Sequence, residues 1–221
     1  MKNLKIVKNS EADKFYKRNL NYSNLTFKGK SKKITDLLNQ TKAKCKSILE
    51  IGCGDGKNLD QYQNILNIKN CYGVDLSKKA IKQGKKKYKN LKLLQSSSLE
   101  INRIKKNFDL VICGFFLYLL DRDEIFNQFN LIYKKINKNG YLIIEDFDPL
   151  FKHTNNSGHN KNLKTFKMDY TNFLEESGLF KLIYKLRSHT SNSFKKKFKS
   201  NDISLSLYQK IDFIDKYPKN I

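Results

Sequence analysis

The sequence predicts a doubly wound α/β fold: a mostly parallel sheet of seven strands with helices on both faces and an antiparallel strand added late in the chain. Three observations predict it. Short apolar runs of strand length alternate with segments whose apolar residues recur at helical spacing, the pattern of strand-helix-strand units. A cluster of glycines follows the first apolar run, where a strand would hand over to a helix. The 221 residues, 39% of them hydrophobic, suffice to bury one sizeable core but hardly two.

Residues 1–33 are polar and dotted with Phe15, Tyr16, Tyr22 and Phe27 without a clean period, which predicts an arm or lid outside a main domain of 34–221. Ile34-Thr-Asp-Leu-Leu-Asn-Gln fits a helix, and Ser47-Ile-Leu-Glu-Ile51 a first buried strand. Gly52-Cys-Gly-Asp-Gly56 then turns the chain into a helix from Lys57 through the region of Tyr62 and Leu66. Cys71-Tyr-Gly-Val-Asp75 is a second strand, and Ser77 is a good N-cap for a helix over 78–86. Leu91-Lys-Leu-Leu94 and Asp109-Leu-Val-Ile-Cys113 read as the third and fourth strands.

Asp121-Arg-Asp-Glu124 has capping-box spacing ahead of Ile125, Phe126, Phe129, Ile132 and Ile136 at helical intervals. Asn139-Gly140 ends that helix, and Tyr141-Leu-Ile-Ile-Glu145 is the fifth strand. Residues 146–168 are polar, contain Pro149, Gly158, His153 and His159, and show little periodicity. So long a loop in a compact domain is usually functional, and a substrate lid is expected there. A short helix over 169–177, ended by Gly178, precedes strands over 180–186 and 203–211 that should pair antiparallel. Ser193-Phe-Lys-Lys-Lys-Phe-Lys-Ser200 is a charged connection between them.

Composition excludes several classes. The longest apolar run, residues 110–120, is about half the ~20 residues a membrane-spanning helix needs. The N-terminus lacks the apolar core of a secretory signal, so a cytoplasmic location is expected. Cys45, Cys53, Cys71 and Cys113 form no C-x-x-C pair, which suggests free thiols and neither zinc nor a disulfide framework. The formal charge is 44 − 21 = +23, but only Arg18, Arg103, Arg122 and Arg187 are arginines. Arginine supplies the fork that reads phosphates and guanines, so a lysine-dominated charge reflects amino-acid usage more than a nucleic-acid track.

The chemistry concentrates at the glycines. Positions 52, 54 and 56 allow a tight turn and a close approach of ligand to bare backbone, with unpaired N–H groups at the helix start. The spacing is G-x-G-x-G; the dinucleotide fingerprint would need its third glycine at Lys57, and no P-loop follows the strand. Asp75, ending the second strand, would lie at the same sheet edge and could accept hydrogen bonds from both ribose hydroxyls of a nucleoside.

Leu49-Glu-Ile-Gly-Cys-Gly-Asp-Gly56, Gly73-Val-Asp-Leu-Ser77, Phe108-Asp-Leu-Val-Ile-Cys113 and Gly140-Tyr-Leu-Ile-Ile144 occur in the order found in class I, seven-strand, Rossmann-like methyltransferases dependent on S-adenosylmethionine, which the chain resembles from about 47 to 186. The resemblance implies that Gly52, Gly54 and the backbone at Cys53 hold the methionine portion of the cofactor, with Glu50 near its ammonium group. It implies that Asp75 holds the ribose and Leu76 flanks the adenine. Ser97 and Ser98 stand where the family often has an acidic residue and a small neighbour beside the adenine amine. Cys113 and Gly114 would sit near the transferring methyl. Cys113-Gly-Phe-Phe departs from the [DN]-P-P-[FY] motif of amino-directed nucleobase enzymes, and Cys113 lacks the proline neighbour frequent in cytosine-C5 enzymes, so a buried thiol is expected.

A hydroxyl acceptor would benefit from a general base, and the candidates are Asp146, Asp148, His153, His159 and Asp169, with His153, His159 and Asp146 foremost. Glu145-Asp-Phe-Asp-Pro149, Lys164-Thr-Phe-Lys-Met-Asp-Tyr170 and Phe15-Tyr-Lys-Arg-Asn19 are similar to bacterial methyltransferases associated with nonulosonic-acid and other surface-sugar biosynthesis. That implies a small, anionic carbohydrate or sugar nucleotide as acceptor, met by Arg18 or the late lysines. Two alternatives stand beside it. An RNA methyltransferase would use Lys30 to Lys33, Lys85 to Lys87, and Lys195 to Lys199 with Phe194 and Phe198. A noncatalytic scaffold would bind S-adenosylmethionine without turnover.

Overall fold

A computed structural model describes residues 2–22, 30–188 and 201–211. Phe27 and the charged connection carrying Phe194, Phe198 and Lys195 to Lys199 lie outside the described residues. The strands are β1 (Ser47–Ile51), β2 (Asn70–Asp75), β3 (Lys92–Gln95), β4 (Phe108–Gly114), β5 (Ile136–Phe147), β6 (His153–Ser157), β7 (Asn160–Lys167), β8 (Phe180–Ser188) and β9 (Ile203–Lys210). The helices are α1 (Lys2–Ile6), α2 (Ala12–Tyr22), α3 (Lys30–Gln40), α4 (Lys57–Leu66), α5 (Lys78–Lys87), α6 (Ile125–Lys135) and α7 (Asn172–Glu176).

Seven strands form one sheet in the order β3-β2-β1-β4-β5-β9-β8. β1 to β5 run parallel, and β9 runs antiparallel to both β5 and β8. The chain builds outward from β1 to β3 and then jumps back to β4, so strand order reverses between β1 and β4. The crevice at such a reversal is where open α/β sheets bind ligands.

Every residue of β1 is buried, because its side chains feed two cores by period-two alternation. Leu49 and Ile51 pack with Val111, Phe129, Ile132 and Leu142 on one face. Ile48 packs with Leu37, Leu59, Tyr62, Ile112 and Ile143 on the other. The central strands β1 and β4 therefore read as nearly continuous apolar runs.

One segment takes a form its sequence did not show, and two expectations need correction. Residues 2–22 form a helix pair joined by a π turn over Val7–Glu11, where no period was legible. Polar ties fix the pair in place: the Asn3 amide nitrogen donates to Leu119 O at 2.9 Å and Lys164 O at 2.7 Å, and its oxygen accepts from Lys164 N at 3.2 Å. The capping box at Asp121 does not form; the Asp121 carboxylate accepts from the N–H groups of Asn3 and Leu4 and so caps α1. Residues 146–168 are no open loop, since β6 and β7 pair as an antiparallel hairpin. Only Leu163 and Thr165 of β7 are buried, and because Thr165 is itself polar while Lys161, Asn162 and Lys164 are exposed, the alternation is hidden.

Asn139-Gly140 also acts differently from expectation. α6 ends at Lys135 and β5 starts at once, with a register shift between the Phe108 and Leu110 pairings. Asn139 has φ of 58°, and a β-carbon at Gly140 would lie 2.9 Å from Asp109 O. The pair is a bulge inside β5 rather than a helix stop.

Candidate active site

Backbone hydrogen bonds anchor the start of the glycine turn. Gly52 N–H and Cys53 N–H both donate to Val74 O, at 2.8 and 3.2 Å. Gly52 and Gly54 have φ of +77° and +57°, which side chains rarely adopt. A β-carbon on Gly52 would approach Gly114 O to 3.3 Å, whereas one on Gly54 would meet nothing within 4 Å. The turn thus packs against β4 on one side and presents bare backbone to open space on the other.

Asp75 closes this turn. Its carboxylate accepts from Gly54 N–H at 2.9 Å and from Ser77 N–H at 2.7 Å. Burial pushes its pKa above the usual carboxylate value, against those two N–H groups, and the carboxylates of Asp13 and Asp55 push the same way. Each oxygen takes one backbone donor and keeps a lone pair for a ligand hydroxyl.

A cavity of about 340 Å³ opens over the turn. Gly52, Cys53 and Gly54 form its floor, Asp75, Leu76, Ser96 and Ser98 one wall, and Gly114, Phe116 and Tyr118 the opposite one. Val7, Glu11, Phe15, Tyr16 and Arg18 of the N-terminal helices roof it, and Ser157, His159 and Thr165 of the hairpin close the far end. Asp13 fixes the roof by accepting from Ser77 Oγ–H at 2.6 Å and Lys79 N–H at 3.0 Å, the free N–H end of α5. Tyr16 donates to Asp55 at 3.3 Å, and burial together with Asp55 pushes the Tyr16 hydroxyl up to about 12.

Gly52, Cys53, Gly54, Asp75, Leu76, Ser98 and Gly114 line the cavity; Glu50, Ser97 and Cys113 do not. Glu50 and Cys113 are buried within the sheet. Ser97 is buried as the N-cap of a 3-10 turn (Ser98–Arg103), accepting from Leu99 N–H while Glu100 accepts from Ser97 N–H. That capping box turns Ser97 away and gives the wall position to Ser96.

Among the base candidates, only His159 lines the cavity. His153 Nδ1 lies 3.0 Å from Phe151 O. Asp146 accepts from Leu117 N–H and Phe147 N–H, which holds the segment after β4. Asp148 takes a two-pronged bond from Arg187, at 2.9 and 2.7 Å, and Lys185 at 3.3 Å. Burial works to raise the Asp169 carboxyl, but Lys185, at 2.5 Å, and Thr171 outweigh it and hold it below the usual range. These three carboxylates brace the frame around the cavity.

Sequence reasoning passed over Glu11, Asp13, Tyr16 and Tyr118. Each becomes visible only through a partner distant in the chain. Burial and the charges of Asp146 and Glu11 push the Tyr118 hydroxyl up, while Arg18 pulls it down; Glu11, Arg18 and Tyr118 all line the cavity.

This geometry, a glycine turn and a strand-end carboxylate at the reversal of a seven-stranded sheet, defines the class I fold of S-adenosylmethionine-dependent methyltransferases. The sequence model described as "Methyltransferase domain" matches residues 42–202, and the chain belongs to that family. An uncharacterised protein of Rickettsia prowazekii (strain Madrid E) is 34% identical over 115 residues, a match spanning 48% of this chain and 45% of that protein. The fold is like that of N-methyltransferase NodS from Bradyrhizobium japonicum WM9, solved with S-adenosyl-L-homocysteine: TM-score 0.69, 14% identity, 91% of this chain and 99% of that one. It is also like 1,6-didemethyltoxoflavin-N1-methyltransferase of Burkholderia thailandensis, solved with 1,6-didemethyltoxoflavin and S-adenosylhomocysteine: TM-score 0.66, 12% identity, 88% of this chain and 82% of that one. Among the described residues no helix is long and apolar enough to cross a membrane.

Proposed function

We propose that the chain is an enzyme transferring a methyl group from S-adenosylmethionine to a small-molecule acceptor, with a sugar or sugar nucleotide as the acceptor class. The observation that carries the cofactor site is the Asp75 carboxylate fastened to Gly54 N–H beside open space over bare backbone. Asp75 takes the ribose hydroxyls, Leu76 flanks the adenine, and Ser96 and Ser98 offer uncharged acceptors to its amine. Gly52, Gly54 and the Cys53 backbone hold the amino-acid portion, with Glu50 and Cys113 supporting from behind and Gly114 beside the reacting end.

When bound, S-adenosylmethionine supplies a methyl carbon made electrophilic by its sulfonium. The protein then has to align a nucleophile and exclude water. The π turn Val7–Glu11, α2 and the β6–β7 hairpin do the second by covering the cavity. His159 is the histidine placed to assist a hydroxyl acceptor. A small acceptor is supported by the modest, roofed cavity and by the fold's likeness to an enzyme solved with 1,6-didemethyltoxoflavin.

RNA is less favoured because each arginine serves the chain itself. Arg18 pairs with Glu11, Arg103 with Glu100, Arg187 with Asp148, and Arg122 binds the carbonyls of Leu117 and Leu120. A reducing, cytoplasmic setting is supported by four free cysteines.

Transfer of labelled methyl from S-adenosylmethionine into fractionated cell extract tests this reading. Label should enter the small-molecule fraction, within it the sugar-containing pool. Label confined to RNA or protein would contradict it, and binding without labelling would point to the scaffold.

A further inference from the structure

We infer that Glu11 is the acceptor-facing carboxylate of the cavity, receiving a hydrogen bond from the N–H or O–H of an uncharged nucleophile while Arg18 and Asn160 hold it in place. The inference rests on the methyltransferase reading above and assigns the reacting end of the acceptor within it.

Glu11 is 3% exposed and yet lines the cavity. One carboxylate oxygen accepts from the Arg18 guanidinium at 2.5 Å, and the other from Asn160 Nδ2 at 3.2 Å. An ionised carboxylate has about four acceptor positions, so two remain for a ligand. Glu11 is the buried member of the pair and Arg18 the partly exposed one, so the carboxylate bears the desolvation cost that weakens the return in stability from such a pair. A charged pair kept in the wall of a ligand cavity therefore points to the ligand.

Its placement agrees. Glu11 ends the π turn Val7–Glu11, a local insertion in an otherwise α-helical segment and a feature frequent at functional sites. The groups around it arrive from separate elements: Arg18 from α2, Asn160 and His159 from the hairpin, and Tyr118, backed by Asp146, from the segment after β4. Glu11, Arg18, Tyr118 and His159 line the same cavity as Asp75 and Gly114, so this cluster shares the enclosed space with the cofactor site.

The pair also selects by charge. A cationic reacting group would compete with Arg18 for Glu11 and displace the guanidinium from its anion. An anionic one would compete with Glu11 for Arg18 and strand the carboxylate. An uncharged N–H or O–H disturbs neither, and an unprotonated amine is the form able to donate its lone pair.

The test compares wild type with Glu11→Gln, which keeps the shape and one acceptor oxygen but removes the charge. Labelled-methyl transfer into the small-molecule fraction is read beside S-adenosylhomocysteine affinity and melting temperature. A hydrogen bond to a charged group is worth about 1.5–3 kcal/mol, so transfer should fall roughly ten- to hundredfold with cofactor affinity within about threefold. Unchanged transfer overturns the inference and leaves the methyltransferase reading intact. If Glu11→Gln fails to fold or loses the cofactor, Asn160→Leu decides: a loss of transfer near tenfold at unchanged cofactor affinity supports the inference, and no loss overturns it. Wild-type protein that binds S-adenosylhomocysteine but labels nothing removes the methyltransferase reading, and this inference with it.

Discussion

Asp75 Oδ2 accepts a hydrogen bond from Gly54 N–H at 2.9 Å, across a sequence separation of 21 residues. One carboxylate therefore both shapes the glycine turn and faces the cavity that the turn floors.

Asp75→Asn should weaken S-adenosylhomocysteine binding ten- to hundredfold, the roughly 1.5–3 kcal/mol of a charge-assisted bond. The pH dependence follows from the raised carboxyl, whose largest cause is burial. A carboxyl raised in the folded state contributes stability that is full below the ordinary value near 3.9 and is lost as pH rises through the folded value. Ligand binding runs the other way, since the ionised form is the acceptor. Titration should show affinity declining on acidification before an ordinary carboxylate would protonate; affinity flat to that point would contradict the assignment.

Gly84→Ala tests how closely α5 supports the turn. Alanine gains about 1 kcal/mol of helix propensity over glycine. A β-carbon here would lie 2.2 Å from Asp55 O and 2.5 Å from Leu93 Cδ1, and such overpacking costs about 1–3 kcal/mol. The clash with backbone carbonyl wins. Thermal denaturation should show net destabilisation, and calorimetry a weaker cofactor site.

The thiols should be inert at neutral pH. Burial, helped by Asp109, pushes Cys45 up to about 11, and burial pushes Cys71 up to about 12 and Cys53 well above its ordinary value. The thiolate is the reactive form. A chromogenic disulfide reagent at pH 7.5 should label native protein slowly, faster as pH approaches 11, and all four cysteines on unfolding. Rapid native labelling would contradict the packing.

What was legible in the sequence was local. β1 and β4 carry nearly continuous apolar runs, and the glycine turn and Asp75 combine residue type with a strand end, so both could be read to one edge of the sheet. Ser97 missed by one position because a capping box with Glu100 decides which serine faces the cavity. The roof was illegible for a different reason. Asn3, Glu11 and Asp13 find partners 64 to 161 residues away, and such polar ties leave no periodicity. Asp121 shows the same limit: its spacing suited a cap on α6, but the free N–H groups of α1 take its carboxylate.

Asn3→Ala should loosen that roof without unfolding the sheet. Three hydrogen bonds to Leu119 and Lys164 are lost, each worth about 1 kcal/mol net. Hydrogen exchange should accelerate in 2–22 and 160–167 and stay slow in β1, β4 and β5. Equal acceleration across the sheet would contradict a roof that opens by itself.

The most direct test of the central claim is calorimetric titration of the purified protein with S-adenosylhomocysteine, repeated with Asp75→Ala. Saturable one-to-one binding, weakened by the substitution in a protein that still melts cooperatively, is the predicted result. Folded wild-type protein that gives no heat and no thermal protection would contradict the assignment of this cavity to S-adenosylmethionine.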